Sequence, residues 1–173
     1  MEPQQKEKAR RLIHETRVMT LSVCRDDIPW SAPVYFVFHD PGFYFFSNEN
    51  SRHVIDAEGM RPVSASIFQD SDRMEEIFGF QMAGRTKPVS KPDVHLRVVK
   101  KYVSKFNFLQ QIFGPQILEN RRFFLEKFKS RLYCFYPDRV YLSDTSSTSG
   151  KRSDIDLTTL FKKEKGLCSK LNI

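Results

Sequence analysis

Residues 44–54 read YFFSNENSRHV. The aromatic run GFYFF, residues 42–46, stops abruptly, and seven polar residues, 47–53, follow before Val54 restores apolar character. A short aromatic run bounded by turn residues is a strand signal. Its end delivers Ser47, Ser51, Arg52 and His53 to one place, and that combination suits an anion. Hydroxyls donate, a guanidinium presents a planar fork matched to phosphate oxygens, and an imidazole adds a donor and, below its pKa, a charge. A helix starting at Arg52 would make Ser51 its N-cap and turn its first N–H groups the same way. The same letters have a plainer reading, because Asn48, Asn50 and Ser51 are ordinary turn and cap residues.

The flanking sequence sets the fold class. Upstream, residues 4–15 carry Ala9, Leu12 and Ile13 at helical spacing. RVMTLSVC (17–24) alternates Met19, Leu21 and Val23 against polar neighbours, Arg25-Asp26-Asp27 makes a turn, and SAPVYFVF (31–38) is a second strand. His39-Asp40-Pro41-Gly42 is a turn into the aromatic strand. Downstream, VIDAEGM predicts one or two helical turns ended by Gly59. PVSASIF (62–68) and the long run 77–90 are further strands, the latter with Gly79 and Gly84 as candidate bulges or close approaches. A helix opens at Lys91-Pro92-Asp93 with Val94, Val98, Tyr102 and Phe106 on one stripe, and a second follows Gly114-Pro115. RLYCFYP and RVYLS are closing strands split by Pro137-Asp138. The expectation is one mainly β domain, an antiparallel barrel with helices packed outside over residues 1–145, a helical insertion at about 93–128, and a polar C-terminal tail at 146–173.

Bulk properties narrow the function. The 173-residue chain has a formal net charge of +7, which permits anionic partners. Cys24, Cys134 and Cys168 share no metal or disulfide spacing and suit a reducing, cytoplasmic setting. No apolar h-region opens the chain, and no apolar run approaches the ~20 residues of a spanning helix. His14, His39 and His95 lack acidic partners at ligand spacing, so no metal site is expected. There is no nucleophile elbow, P-loop or dinucleotide fingerprint.

The order strand, FYFFSNENSRH, short helix, Arg61-Pro62-Val63 strand resembles the pyridoxamine-5'-phosphate-oxidase-like flavoproteins, and is similar to a small bacterial branch of that group. Their typical segment has an aromatic, Thr or Ser, Asn, two variable residues and then Ser-Arg-Lys; here it is Phe46-Ser47-Asn48, Glu49-Asn50, Ser51-Arg52-His53. FQMAGRTKPVS is similar to the strand in which Gln81, Met82 and Gly84 precede Arg85 and Lys87, and RLYCFYPDRVYL looks like the last barrel hairpin. The resemblance implies an FMN-binding split barrel, a homodimer, and electron or hydride transfer with a small-molecule substrate and possible NAD(P)H reductant. It implies that Ser31, Ala32, Pro33 and Val34 edge the flavin ring and that Phe46 and Ser47 flank it. Ser51, Arg52 and His53 would hold the phosphate, and Gln81 would approach the ring, often across a dimer interface. A non-enzymatic flavin or haem binder on the same barrel is the alternative. No catalytic side chain is nominated.

Two departures shape these expectations. His53 stands where the family has Lys, which predicts FMN affinity that weakens as pH rises from about 6 to 8. The C-terminal Arg-x-His pair that handles pyridoxal substrates is missing, with Gly150-Lys151-Arg152 the nearest basic group, so pyridoxamine phosphate is not the expected substrate. The aromatic and basic helical pair reads as a packing face, as a lid over the ring, or as a nucleic-acid or membrane contact. Neither a nucleic acid nor a membrane is the partner expected.

Overall fold

The computed structural model describes residues 1–39, 41–113, 130–145 and 152–161. The helix expected after Gly114-Pro115, Asp40 of the expected turn, residues 146–151 and residues 162–173 lie outside that set. The elements are α1 (Pro3–Glu15), β1 (Val18–Arg25), β2 (Ile28–Tyr35), β3 (Val37–His39), β4 (Gly42–Ser47), α2 (Arg52–Ile55), β5 (Val63–Gln69) and β6 (Phe78–Pro88). There follow α3 (Pro92–Lys105), α4 (Phe108–Phe113), β7 (Arg131–Asp144), β8 (Ser153–Asp154) and α5 (Leu157–Phe161).

The strands form one antiparallel sheet in the order β2-β1-β5-β6-β7-β4-β3, with β8 on β7. Its two end strands, β2 and β3, are one stretch of chain. Residues 32, 34, 36 and 38 keep their side chains buried throughout, so alternation does not break. Hydrogen-bond partnership does: β2 pairs with β1 as far as Tyr35 opposite Val18, and β3 pairs with β4 from Val37 opposite Tyr44. Phe36 between them donates its N–H to the Arg17 carbonyl. The single strand expected at 31–38 therefore closes a split barrel by changing partner in its middle, and it leaves a gap between β2 and β4.

The aromatic density of β4 follows from two cores. Phe43 and Phe45 point into the barrel with Met19, Leu21, Ile67, Phe80 and Phe135, and α1 closes the cluster with Ala9, Leu12 and Ile13. Tyr44 points outward into a second cluster, where Val98, Val99, Tyr102, Val103 and Phe106 of α3 cover Val37, Leu132 and Cys134. A strand covered on both faces has no need of polar alternation. The packing-face reading of α3 holds.

Two sequence expectations change form. RLYCFYP and RVYLS are one strand, because Pro137 and Asp138 sit at a bulge: Ala83 faces Arg139 while Gly84 faces Pro137, leaving Asp138 as the extra residue. The bulge shifts side-chain parity, so Tyr133 and Phe135 point inward before it and Val140 and Leu142 after it. Residues 152–161, part of the segment read as a polar tail, fold against the barrel. Ile155, Leu157 and Leu160 are buried in the first core, and Phe161 stacks on Phe38 with ring centroids 4.5 Å apart. Asp26 and Asp27 both take left-handed φ, 51° and 59°, in the β1–β2 hairpin. The helix expected to run to Gly59 stops at Ile55, and Gly59, with φ 69°, lies in the separate 3-10 turn Glu58–Met60.

Candidate functional site

The gap between β2 and β4 opens into a cavity of about 330 Å³. Pro33, Val34 and Tyr35 form the β2 wall, Phe46 and Ser47 the end of β4, and His53 of α2 one corner. Tyr102 and Phe106 of α3, with Phe108 and Leu109 of α4 and Ser130, form the remainder. The Tyr102 hydroxyl, fully buried, hydrogen-bonds the carbonyls of Tyr35 at 2.5 Å and Tyr44 at 3.0 Å, and so ties α3 to both sides of the split. Tyr35 meets Phe106 edge-on at 5.3 Å, and Phe106 meets Phe108 at 5.8 Å. The result is an aromatic slot with a polar end. Replacing Tyr102 with Phe removes the donor from both carbonyls and is expected to lower stability by about 1–2 kcal/mol, read by chemical denaturation.

At the polar end, the Ser47 hydroxyl lies 2.8 Å from His53 Nε2 and 3.3 Å from the Ser51 hydroxyl. Ser51 is the N-cap residue of α2 by backbone conformation, but its hydroxyl makes no capping bond; it turns to Ser47 instead. Arg52 points the other way along α2. Its Nε donates to Asp56 Oδ2 at 3.2 Å, and its guanidinium lies over the Trp30 ring at 4.7 Å. Asp56 is buried and also faces Arg25 at 3.8 Å. Arg52 is thus not a cavity-lining residue. It is held at Nε by Asp56, and its terminal nitrogens make no hydrogen bond among the described residues.

Of the ten residues singled out from the sequence, Pro33, Val34, Phe46, Ser47 and His53 line the cavity, Ser51 reaches it through its contact with Ser47, and Arg52 is turned to Asp56 and Trp30 outside the lining. Ser31 is exposed on the outer face, its hydroxyl 2.9 Å from that of Ser22, while Ala32 is buried on the inner face. Gln81 stands apart. The register row Pro33, Thr20, Ser66, Gln81 places it on the outer face three strands from Pro33, about 14 Å away at ordinary strand spacing. Tyr35, Leu109 and Ser130 in the lining, and the Trp30–Arg52–Asp56–Arg25 cluster, were not foreseen. An Arg-x-x-x-Asp pair at helical spacing, Arg52 and Asp56, was the available signal for the latter.

Electrostatics qualify the role of His53. Burial holds its pKa below the ordinary value of 6.5. The imidazole is therefore neutral at pH 7, and the stability it lends by staying neutral is present above pH 6.5 and lost as pH falls through its folded pKa. The pH window expected from the sequence accordingly moves down: affinity for a phosphate-bearing ligand should be flat between about pH 7 and 8 and rise below about 6.5, as the imidazole becomes charged. A fluorescence titration series across pH checks this, and His53→Lys should abolish the acidic rise.

Among the described residues, no group of three or more His, Cys, Asp or Glu side chains could hold a metal ion, and no helix is long and apolar enough to cross a membrane. The described lining residues include no carboxylate. Aromatic walls, hydroxyls, an imidazole and a nearby guanidinium fit a flat ring carrying an anionic group.

Comparison with known proteins agrees with the fold. The family model described as pyridoxamine 5'-phosphate oxidase matches residues 5–131. No curated protein matches. Among solved structures, a heme binding protein from Mycobacterium smegmatis superposes with TM-score 0.64 at 13% identity, over 90% of this chain and 59% of its own. An FAD-binding protein from Mesorhizobium loti gives 0.57 at 15%, over 82% and 94%. The heme storage protein HutZ from Vibrio cholerae gives 0.53 at 17%, over 80% and 92%. At these identities the likenesses establish the fold alone.

Proposed function

The chain belongs to the pyridoxamine 5'-phosphate oxidase family, and from that premise we propose that it is an FMN-binding flavoprotein, an oxidoreductase whose substrate is not pyridoxamine phosphate. The observation that carries this reading is the convergence on one cavity of Pro33 and Val34, Phe46 and Ser47, and His53, drawn from three separate elements. The cavity volume, about 330 Å³, lies at the lower end of ordinary ligand sites, which suits a flat ring with its phosphate held outside the slot. The β2 backbone beside the gap has β1 as its only strand partner among the described residues, so its free edge can meet the polar rim of an isoalloxazine. Ser47, Ser51 and Arg52 are the residues for the phosphate, with His53 joining them at acidic pH. A bound flavin supplies electron or hydride transfer at its N5, and the chain supplies binding, orientation and shelter from water.

Gln81 fits this reading only through a second copy. The outer face around it is built of small side chains, Thr20, Ser22, Ser64 and Ser66, beside the exposed Phe68. A homodimer across that face would let the partner's Gln81 approach the gap. Light scattering of the purified protein is expected to return twice the monomer mass.

A haem binder is the second reading. One observation favours it: His53 is a neutral, half-buried imidazole on an aromatic slot, and an imidazole of that kind is a good iron ligand. Against it, Nε2 is already engaged by Ser47 at 2.8 Å. The deciding experiment titrates the purified protein with FMN, riboflavin and hemin. FMN binding tighter than riboflavin binding, followed by anaerobic bleaching with NADH or NADPH, supports the flavoprotein reading. A Soret band shifted by protein and lost in His53→Ala, with no flavin uptake, overturns it.

A further inference from the structure

A different face of the last turns of α3 borders a hollow of about 360 Å³, which shares no residue with the aromatic cavity. Its apolar side is Ile13, Val37 and Phe38; its polar side is His14, Lys101, Ser104 and Lys105. Lys101 Nζ donates to the Phe38 carbonyl at 3.0 Å, and Lys105 Nζ donates to the Ile13 carbonyl at 3.3 Å while lying 4.1 Å over the Phe36 ring. Both acceptors are neutral. Among the described residues no carboxylate comes within ion-pair distance of His14, Lys101 or Lys105, whereas Arg11, Arg73 and Arg97 each hold one at 3.2 Å or less.

One ammonium is enough to cap the last carbonyls of α1. A second ammonium and an imidazole around the same hollow add positive charge that no carboxylate among the described residues offsets by an ion pair. Burial lowers all three groups, and repulsion from the two ammoniums adds to it at His14. Burial, with Arg17 adding to it, pushes Lys105 down to about 8. Burial lowers Lys101 as well. His14 is lowered by burial and then by Lys101 and Lys105, with only Glu7 acting in the opposite sense. An anion in the hollow would oppose the repulsion that Lys101 and Lys105 exert on His14.

We propose that this hollow between α1, β3 and α3 is a second binding site, for a dianion of the phosphate or sulfate class, either free or as a monoester whose organic part rests on Val37 and Phe38. The site is independent of the aromatic cavity and of what that cavity holds. The test follows the His14 ring proton by NMR while inorganic phosphate, sulfate or phenyl phosphate is added, with chloride at matched ionic strength as the control. The expected result is saturable binding that moves the His14 titration upward, with phenyl phosphate tighter than phosphate. Lys101→Gln, an exposed position whose change leaves the core intact, should weaken binding at least about tenfold, and Arg52→Ala should leave it unchanged. Lys105→Arg keeps the charge over Phe36 and should retain binding. A response equal to that of chloride, or one indifferent to Lys101→Gln, or one lost with Arg52→Ala, overturns the proposal.

Discussion

An Arg52→Ala protein is expected to bind FMN about 10- to 100-fold more weakly than the wild type, with its affinity for riboflavin barely changed. Losing a hydrogen bond to a charged group costs about 1.5–3 kcal/mol, and each 1.4 kcal/mol is about tenfold in affinity. The guanidinium is already fixed in the free protein. Asp56 holds it at Nε, 3.2 Å away, and Trp30 lies under it at 4.7 Å, which leaves the terminal fork to grip phosphate oxygens in pairs. Flavin fluorescence quenching measures both ligands. Parallel losses for FMN and riboflavin would mean that the slot itself was damaged. An unchanged FMN affinity would move the phosphate away from α2 and remove the residue on which the flavoprotein reading most depends. Arg25, 3.8 Å from Asp56, keeps that buried carboxylate partnered in the variant, so folding should survive the substitution.

The second large effect is structural. Gly84→Val is expected to destabilise the protein by about 3 kcal/mol, or roughly 6–12 °C in Tm for a chain of this size. A Cβ at Gly84 would sit 2.1 Å from the Tyr136 carbonyl oxygen and 2.8 Å from Pro137 Cα. These are backbone atoms of the bulge, and they cannot rotate away as a side-chain tip would. The β6–β7 pairing must part at the point where it changes parity. Differential scanning calorimetry reads the shift, and a change under about 2 °C would show that the two strands separate there at little cost.

Much of this architecture was legible in residue order because each strand has an inward side with period two. Met19, Leu21 and Val23 on β1, and Val63, Ala65 and Ile67 on β5, declared their core face directly. The reading failed where a local rule met a distant partner. Pro137 and Asp138 look like a break between strands, and the clue that they are a bulge is the parity change from Tyr133 and Phe135 to Val140 and Leu142. Recognising it as one strand requires knowing that β6 runs alongside the whole length. The partner exchange at Phe36 is invisible for the opposite reason: side-chain alternation passes through it unbroken, and only the hydrogen-bond ladder changes. In the site, the polar string announced itself by composition, but the aromatic wall did not. Tyr102, Phe106 and Phe108 read first as a packing face and only second as a lid; Tyr102 and Phe106 belong to the second core and, with Phe108, line the cavity. The anchoring of Arg52 on Trp30 joins residues 22 positions apart across the barrel end, a contact no local pattern encodes.

The double coverage of β4 also bears on how a ligand would be received. Ser47 is the last residue of a strand sandwiched between two hydrophobic clusters, so its amides should exchange with solvent only on global opening. A hydroxyl fixed to so immobile a rod loses little further freedom when a phosphate docks, and what the phosphate gains there is spent on affinity rather than on ordering the receptor.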